Sequence, residues 1–229
     1  MPFRGVFFDV DGTLIGVCPP PEAFYKEVCQ EHGLECAEAL AQARAVALGF
    51  FHRHGLNYLD DEAGMWREAN RQVFLYLGAG EQQAGVCADR FQDLFREGAR
   101  SHLYPDVLPT LQGLRERGYP LGALTGRLHS SEDMLKGLGI RPYFALYLYA
   151  GELGVLKPDP RMYRVALERI GLPAEAVALV GDHPSDVEGA RSVGITPVCI
   201  VRDHLIPTED VPRLADLREL LSWLDRQAG

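Results

Sequence analysis

The feature that most constrains the fold is a short apolar run followed at once by two acidic residues and a tight turn. Val6–Phe8 is almost wholly apolar, the pattern of a strand buried on both faces of a parallel sheet. Asp9 and Asp11 follow directly, and Gly12 lets the chain turn sharply before Thr13. Two carboxylates so close together are costly to bury unless a cation or a proton compensates them. The stretch therefore indicates either a site of chemistry or, as the plain structural alternative, an Asp-Gly turn between two strands.

The second half of the chain alternates short apolar runs with helical patterns. Such alternation implies a parallel sheet with right-handed crossovers and helices on both faces, that is, a Rossmann-like, doubly wound α/β core. Asp106 is predicted to cap the first of the helices. The predicted strands are Leu121–Leu124, Phe144–Tyr149, Val177–Val180 and, as the last strand, Pro197–Val201. The predicted helices are Asp106–Arg117, Ser131–Leu138, a helix ending near Ile170, Pro184–Val193 and a final helix that carries Leu214, Leu217, Leu220, Leu221 and Leu224.

Between the first strand and this alternating region lies a stretch of different character. It contains no β-branched runs and is dominated by Ala, Leu, Glu, Gln and Arg, which are good helix formers. We therefore predict an α/β core formed by residues 1–16 and 101–229, with an inserted α-helical cap domain at 17–100 that lies over the strand ends as a lid. The predicted cap helices are Glu22–His32, Ala37–His54, Asp61–Leu77 and Glu81–Arg100.

Composition restricts the partners and the compartment. The formal charge of −9 argues against unspecific nucleic-acid binding, and it means that local cations must attract an anionic substrate. No apolar run approaches the roughly 20 residues that cross a bilayer, and no apolar signal segment begins the chain. The five cysteines are odd in number and show no C-x-x-C spacing, which favours free thiols in a reducing compartment. We expect a cytoplasmic protein, monomeric or homodimeric, with no nucleic-acid or membrane partner.

Polar residues collect at the ends of four predicted strands, and their order resembles a known family. Asp9–Thr13, Thr125-Gly126, Lys157-Pro158 and the segment 181–186 match, in order and spacing, the four motifs of the haloacid dehalogenase-like hydrolase superfamily, most of whose members are phosphatases. The helical insertion resembles the cap of the branch that carries its lid between the first and second motifs. One position departs from the family pattern, because Gly126 stands where Asn is common. A glycine amide can still face a phosphate, so this departure predicts tuning and not loss of function.

The residue types indicate phosphoryl transfer, which needs positioning and charge neutralisation. Asp9 is the candidate nucleophile that forms an aspartyl-phosphate, and Asp11 is the candidate general acid and base. An oxygen-only ligand set points to Mg²⁺. The resemblance implies that the metal is held by the Asp9 carboxylate, the Asp11 backbone carbonyl and the Asp182 carboxylate. Thr125, Gly126 and Lys157 are the candidate phosphate-binding residues, and Asp186 is expected to hold a metal-bound water or Lys157.

Several functions remain compatible with these motifs. The favoured one is a Mg²⁺-dependent phosphatase that hydrolyses a small phosphorylated metabolite, a phosphomonoester, through an aspartyl-phosphate. A haloacid dehalogenase uses the same nucleophile on carbon without a metal, but that branch typically lacks the aspartate at the position of Asp11. A sugar-phosphate mutase passes the phosphoryl group to substrate instead of water. A binding module without catalysis is the alternative outside enzymes, and the complete set of motif residues argues against it.

Overall fold

The computed structural model describes residues 3–36, 38–202 and 210–228. The chain divides into two compact units, an α/β unit formed by residues 1–16 and 103–229 and a helical unit formed by residues 17–102. Among the described residues, no helix combines the length and the apolar character that crossing a membrane requires.

The α/β unit is built on a six-stranded, wholly parallel sheet. Its strands lie in the order β5-β4-β1-β6-β7-β8, so the first strand of the chain sits inside the sheet between two strands from far along the sequence. This arrangement confirms the predicted α/β class with a Rossmann-like core. The strands are β1 (Gly5–Phe8), β4 (Leu121–Thr125), β5 (Leu146–Tyr149), β6 (Val177–Gly181), β7 (Thr196–Ile200) and β8 (Arg213–Leu214), and a separate two-stranded sheet pairs β2 (Ile15–Cys18) with β3 (Arg100–Leu103).

The central strands are buried because their side chains are apolar on both faces. β1 and β6 are wholly buried, and so are all five residues of β4. The side chains on one face of these strands, among them Val6, Phe8 and Val180, join those of the flanking helices in one large hydrophobic cluster. The helices of this unit are α5 (Val107–Glu116), α6 (Glu132–Gly137), α7 (Ala150–Leu153), α8 (Pro160–Ile170), α9 (Pro184–Val193) and α10 (Glu219–Ala228).

The described residues of the helical unit form four longer helices and one 3₁₀ turn at Gly55–Tyr58. Its apolar residues recur at helical spacing, and its interior is rich in aromatic rings, with Tyr25 stacked on Phe91 at 4.2 Å between ring centroids. The helices are α1 (Pro21–Glu31), α2 (Leu40–His54), α3 (Glu62–Tyr76) and α4 (Glu81–Gly98). The second helix was predicted to begin at Ala37, which lies outside the described residues.

Three sequence predictions about secondary structure are wrong in detail. Pro197–Val201 is not the last strand, because Leu214, assigned to the final helix, belongs to β8 and its carbonyl accepts from Val201 N at 2.8 Å. The final helix therefore begins only at Glu219. Asp106 precedes α5 but makes no side-chain cap, because its carboxylate binds Arg202 and the backbone N–H of Leu217. Pairing with a distant partner decides each of these local structures.

Candidate active site

The parallel register of the sheet brings three of the motifs side by side. Phe8, the last residue of β1, is paired with Ala123 of β4 on one side and with Val180 of β6 on the other. The backbone N–H of Asp9 then donates to the carbonyl of Val180 at 2.9 Å. The residues that follow these three strands therefore leave the sheet at one edge, which is the usual position of a ligand site in an open α/β sheet.

Three carboxylates meet at this edge, and one ammonium group lies among them. Oxygens of Asp9, Asp182 and Asp186 lie within 4.8 Å of one another, and all three residues are buried. Lys157 Nζ lies 2.6 Å from Asp9 Oδ1 and 2.7 Å from Asp186 Oδ1, with only 5% of its side chain exposed. Residues separated by up to 177 positions in the chain thus form one buried group of charges. We call its three carboxylates (Asp9, Asp182 and Asp186) the acidic cluster, and Lys157 lies among them.

Burial and mutual repulsion shape the protonation of these groups. Burial raises the pKa of the Asp9 carboxyl well above its usual range, Lys157 opposes this rise, and Asp186 and Asp182 add to it. Burial likewise raises the pKa of Asp186 against the attraction of Lys157. For Lys157, burial favours the neutral amine, but the carboxylates of Asp186 and Asp9 outweigh burial and raise its pKa. Lys157 is therefore held as a cation, whereas the raised pKa values of Asp9 and Asp186 mean that full ionisation of these carboxylates is unfavourable without a further cation.

The donor set of the acidic cluster fits a divalent cation. When its three carboxylates are ionised and Lys157 is protonated, the acidic cluster and Lys157 together have a net charge of −2 inside the protein. Uncompensated charge in such a place is strongly unfavourable, and a dication balances it. The side-chain ligands are oxygens alone, which Mg²⁺ prefers. By charge, burial and ligand type, these residues are suited to Mg²⁺.

The loops around Asp182 are shaped to let its carboxylate approach the first motif. Thr13 Oγ1 donates to Asp182 Oδ1 at 3.1 Å, and this hydrogen bond is buried. Gly12 has φ +88°, and a Cβ built on it would lie 2.8 Å from Asp182 Cγ. A side chain at Gly12 would therefore be strained by the backbone and would collide with Asp182.

Asp11 lies apart from the acidic cluster in its side-chain contacts. Its carboxylate accepts two hydrogen bonds from Arg127, at 2.7 Å to Oδ1 and 2.9 Å to Oδ2. Thr125 Oγ1 donates to Asp11 Oδ2 at 3.3 Å. Gly126 lies between these two donors, directly after β4, and is partly buried. The second motif therefore contacts the first motif through Asp11.

Three residues of this region were not assigned a role from the sequence. Arg127 binds Asp11, and the only sequence signal for a role was its position two residues after Thr125 of the second motif. Arg202 donates from Nη2 to the carbonyl of Thr13 at 2.9 Å, although no motif includes it. His183 Nδ1 accepts from the backbone N–H of Ser185 at 3.2 Å and so caps α9, the helix that carries Asp186. A sequence pattern reveals none of these contacts, because each depends on side-chain orientation.

The fold and the clustered motifs define a family, and comparison with known proteins establishes it. A family model described as haloacid dehalogenase-like hydrolase matches residues 3–194. The chain belongs to the haloacid dehalogenase-like hydrolases, which confirms the resemblance noted in its motifs. It is therefore an enzyme of the hydrolase class, and the relatives named below support the predicted hydrolysis of phosphate esters.

Individual relatives match over nearly the whole chain. A phosphoserine phosphatase of Thermus thermophilus is 32% identical over 93% of this chain and 94% of its own length. A phosphoglycolate phosphatase of Rhodospirillum rubrum is 28% identical over 96% of this chain and 90% of its own length. Among solved structures, a dehalogenase with an intermediate complex superimposes with a TM-score of 0.70, with 23% identity and 96% of each chain covered. At that identity the likeness to the dehalogenase shows the fold alone.

Proposed function

We propose that this protein is a Mg²⁺-dependent phosphatase that hydrolyses a small phosphomonoester through an aspartyl-phosphate on Asp9. The observation that carries the proposal is the buried arrangement of Lys157 between the carboxylates of Asp9 and Asp186, with Asp182 in the same cluster. Burying these charged side chains costs desolvation free energy, which favours a functional reason for their presence. Binding of a divalent cation and a phosphoryl group is the reason that we propose.

Asp9 is the nucleophile in this proposal. Its carboxylate is at the end of β1, where the strand and the backbone bond to Val180 hold it in place. One oxygen, Oδ1, is bound by Lys157, which orients the carboxylate that is proposed to attack phosphorus. Lys157 also offsets the negative charge of the incoming phosphate, as a compact cation does well. Thr125 and the amide of Gly126, at the neighbouring strand end, complete the phosphate-binding residues.

Asp11 is the general acid and base. It lies two residues beyond the nucleophile, and its side chain is 43% exposed, so it can meet both a leaving-group oxygen and a water molecule. It would give a proton to the leaving alcohol in the first step. It would then take a proton from the water that hydrolyses the aspartyl-phosphate in the second step, so the two steps use one carboxyl group in turn.

The proposed ligands of Mg²⁺ are the Asp9 and Asp182 carboxylates and the Asp11 backbone carbonyl. Bound there, the ion supplies charge neutralisation for the transferring phosphoryl group. Thr13 fixes one oxygen of Asp182 through its hydroxyl. Asp186 binds Lys157 and so keeps the ammonium group beside Asp9.

The substrate is proposed to be a small phosphorylated metabolite, in a cytoplasmic setting. Two full-length relatives carry the names phosphoserine phosphatase and phosphoglycolate phosphatase, so small phosphorylated organic acids are the first compounds to assay. The helical unit is proposed to act as a cap that excludes bulk water during turnover.

The decisive experiment is a screen of phosphorylated metabolites with released phosphate as the readout, run with Mg²⁺ and with a chelator. We expect hydrolysis that stops on chelation and returns when Mg²⁺ is restored. Release of halide from 2-haloacids without a metal would instead support the dehalogenase alternative. Formation of an isomeric sugar phosphate without release of phosphate would support the mutase alternative.

A further inference from the structure

The Asp11 carboxylate is held by its neighbours far more firmly than an exposed acid needs to be. Arg127 Nη2 donates to Oδ1 at 2.7 Å and Arg127 Nε donates to Oδ2 at 2.9 Å, so the guanidinium and the carboxylate lie fork to fork. Thr125 Oγ1 adds a third contact to Oδ2 at 3.3 Å. Three donors on one carboxylate fix both its position and its rotation.

We infer that Arg127 is a positioning residue, which orients the Asp11 carboxylate for proton transfer at the leaving-group oxygen. The inference rests on the proposed function, because it assigns Arg127 a role only through the proposed general acid. It concerns orientation and not stability. An ion pair whose side chains are 34% and 43% exposed contributes little to the free energy of unfolding.

The end of strand β4 determines where Arg127 stands. Thr125 is the last residue of β4 and is almost fully buried, and its hydroxyl oxygen accepts from the backbone N–H of Arg127 at 3.3 Å. The same hydroxyl contacts Asp11. Because the position of β4 is set by its register with β1, the donor pair and the acid that it binds are anchored to neighbouring strands.

The fork geometry explains why an arginine suits this position. Each of its two hydrogen bonds goes to a different oxygen of Asp11, so the bond to one oxygen can be exchanged for the leaving group while the other bond keeps the carboxyl group in its plane. A lysine carries its charge on a single atom and cannot hold two oxygens in a plane. If orientation is the contribution of Arg127, Arg127→Lys will keep the charge and still lose the function.

The test measures kcat/KM on a series of aryl phosphates of similar size whose leaving groups range from 4-nitrophenol to 4-methylphenol. Loss of general-acid assistance slows the poor leaving groups most, so it steepens the dependence of rate on leaving-group pKa. We expect Arg127→Ala and Arg127→Lys to lose roughly 10- to 100-fold on the poorest leaving group, a part of the full general-acid contribution, and much less on 4-nitrophenyl phosphate.

Three controls separate positioning from a merely structural role. Asp11→Asn should steepen the same dependence, and adding Arg127→Ala to it should cause no further loss, because both changes remove one function. Arg169→Ala removes a comparably exposed ion pair, to Glu152 at 2.8 Å, and should leave the series unchanged. Denaturant midpoints of all variants should stay close to that of the wild type.

Each result decides the matter. Equal losses across the series, full rescue by lysine, or additive losses in the double variant would overturn the role of Arg127 while leaving the phosphatase proposal intact. A wild-type protein that hydrolyses no member of the series and no metabolite in the screen would overturn the proposed function, and the inference with it.

Discussion

The acidic cluster and the interior of the helical unit bury their polar groups in opposite ways. At the acidic cluster, three carboxylates and an ammonium group are buried together. Among the described residues of the helical unit, no charged side chain is buried, and ion pairs such as Arg90–Glu31 lie on the surface. The interior there is apolar and aromatic, with one buried amide, Asn70, that accepts from the hydroxyl of Tyr25 at 2.6 Å.

The difference shows what each region contributes to the protein. Aromatic burial yields a large hydrophobic gain and needs little further arrangement. Buried charges cost free energy unless oppositely charged or hydrogen-bonding partners lie at the right distance, so a cluster of them indicates a functional site. Substitutions in the acidic cluster should therefore change the chemistry, whereas those in the aromatic interior should change the stability.

The largest expected effect is on turnover. Asp9→Asn should lower kcat by at least about 10³-fold, because an amide cannot attack phosphorus in place of the carboxylate. Phosphate release is the measurement, and a denaturant midpoint near that of the wild type shows that the variant is folded. Turnover close to that of the wild type would contradict the assignment of Asp9.

Lys157→Met should lower both the turnover and the stability of the protein. It leaves the carboxylates of Asp9 and Asp186 without their ammonium partner, which we expect to cost about 3 to 5 kcal/mol in the free energy of unfolding without divalent cations. Adding Asp186→Asn should recover part of the stability and none of the activity, because one uncompensated charge is removed. Urea unfolding in a chelator measures the first effect. A Lys157→Met variant as stable as the wild type would contradict the view that the buried carboxylates of Asp9 and Asp186 depend on this lysine for compensation.

Phe91→Ala should change stability alone. Phe91 stacks on Tyr25 and meets Phe24 edge to face, with ring centroids 6.2 Å apart, so its removal leaves a cavity that costs about 3 to 5 kcal/mol. Turnover per folded molecule should change little at a temperature where the variant is folded. Retained stability with lost turnover would mean that the aromatic interior takes part in the reaction.

The smallest effect is expected at the buried hydrogen bond between Tyr25 and Asn70. Tyr25→Phe removes the hydroxyl that donates to Asn70 Oδ1 and leaves a buried carbonyl oxygen without this donor. The expected loss is about 1 to 2 kcal/mol of unfolding free energy, with unchanged kcat. The double variant Tyr25→Phe with Asn70→Leu tests whether the cost comes from the unsatisfied oxygen. If so, the double variant should lose less unfolding free energy than the sum of the losses of the two single variants.

Much of the fold followed from local patterns. The apolar runs that became β1, β4 and β6 were evident because strands buried on both faces are apolar throughout. Helix α9 agrees with the helix predicted from about Pro184 to Val193, and its ends are ones that local sequence favours, because Pro184 suits the first helical position and Gly194 suits the end. The edge strand β8 was missed. Its two residues carry no pattern of their own, and only backbone pairing with β7 makes them a strand.

The sequence by itself determined which residue types stand after which strands, and from this order the family and the candidate site were predicted. Only the tertiary structure decided which of those side chains touch. It placed Lys157 between Asp9 and Asp186, turned Asp11 toward Arg127, and tied Thr13 to Arg202. The physical reason is that strand position follows from short-range apolar periodicity, whereas contacts across more than a hundred residues depend on sheet register and side-chain rotation, which local sequence does not specify.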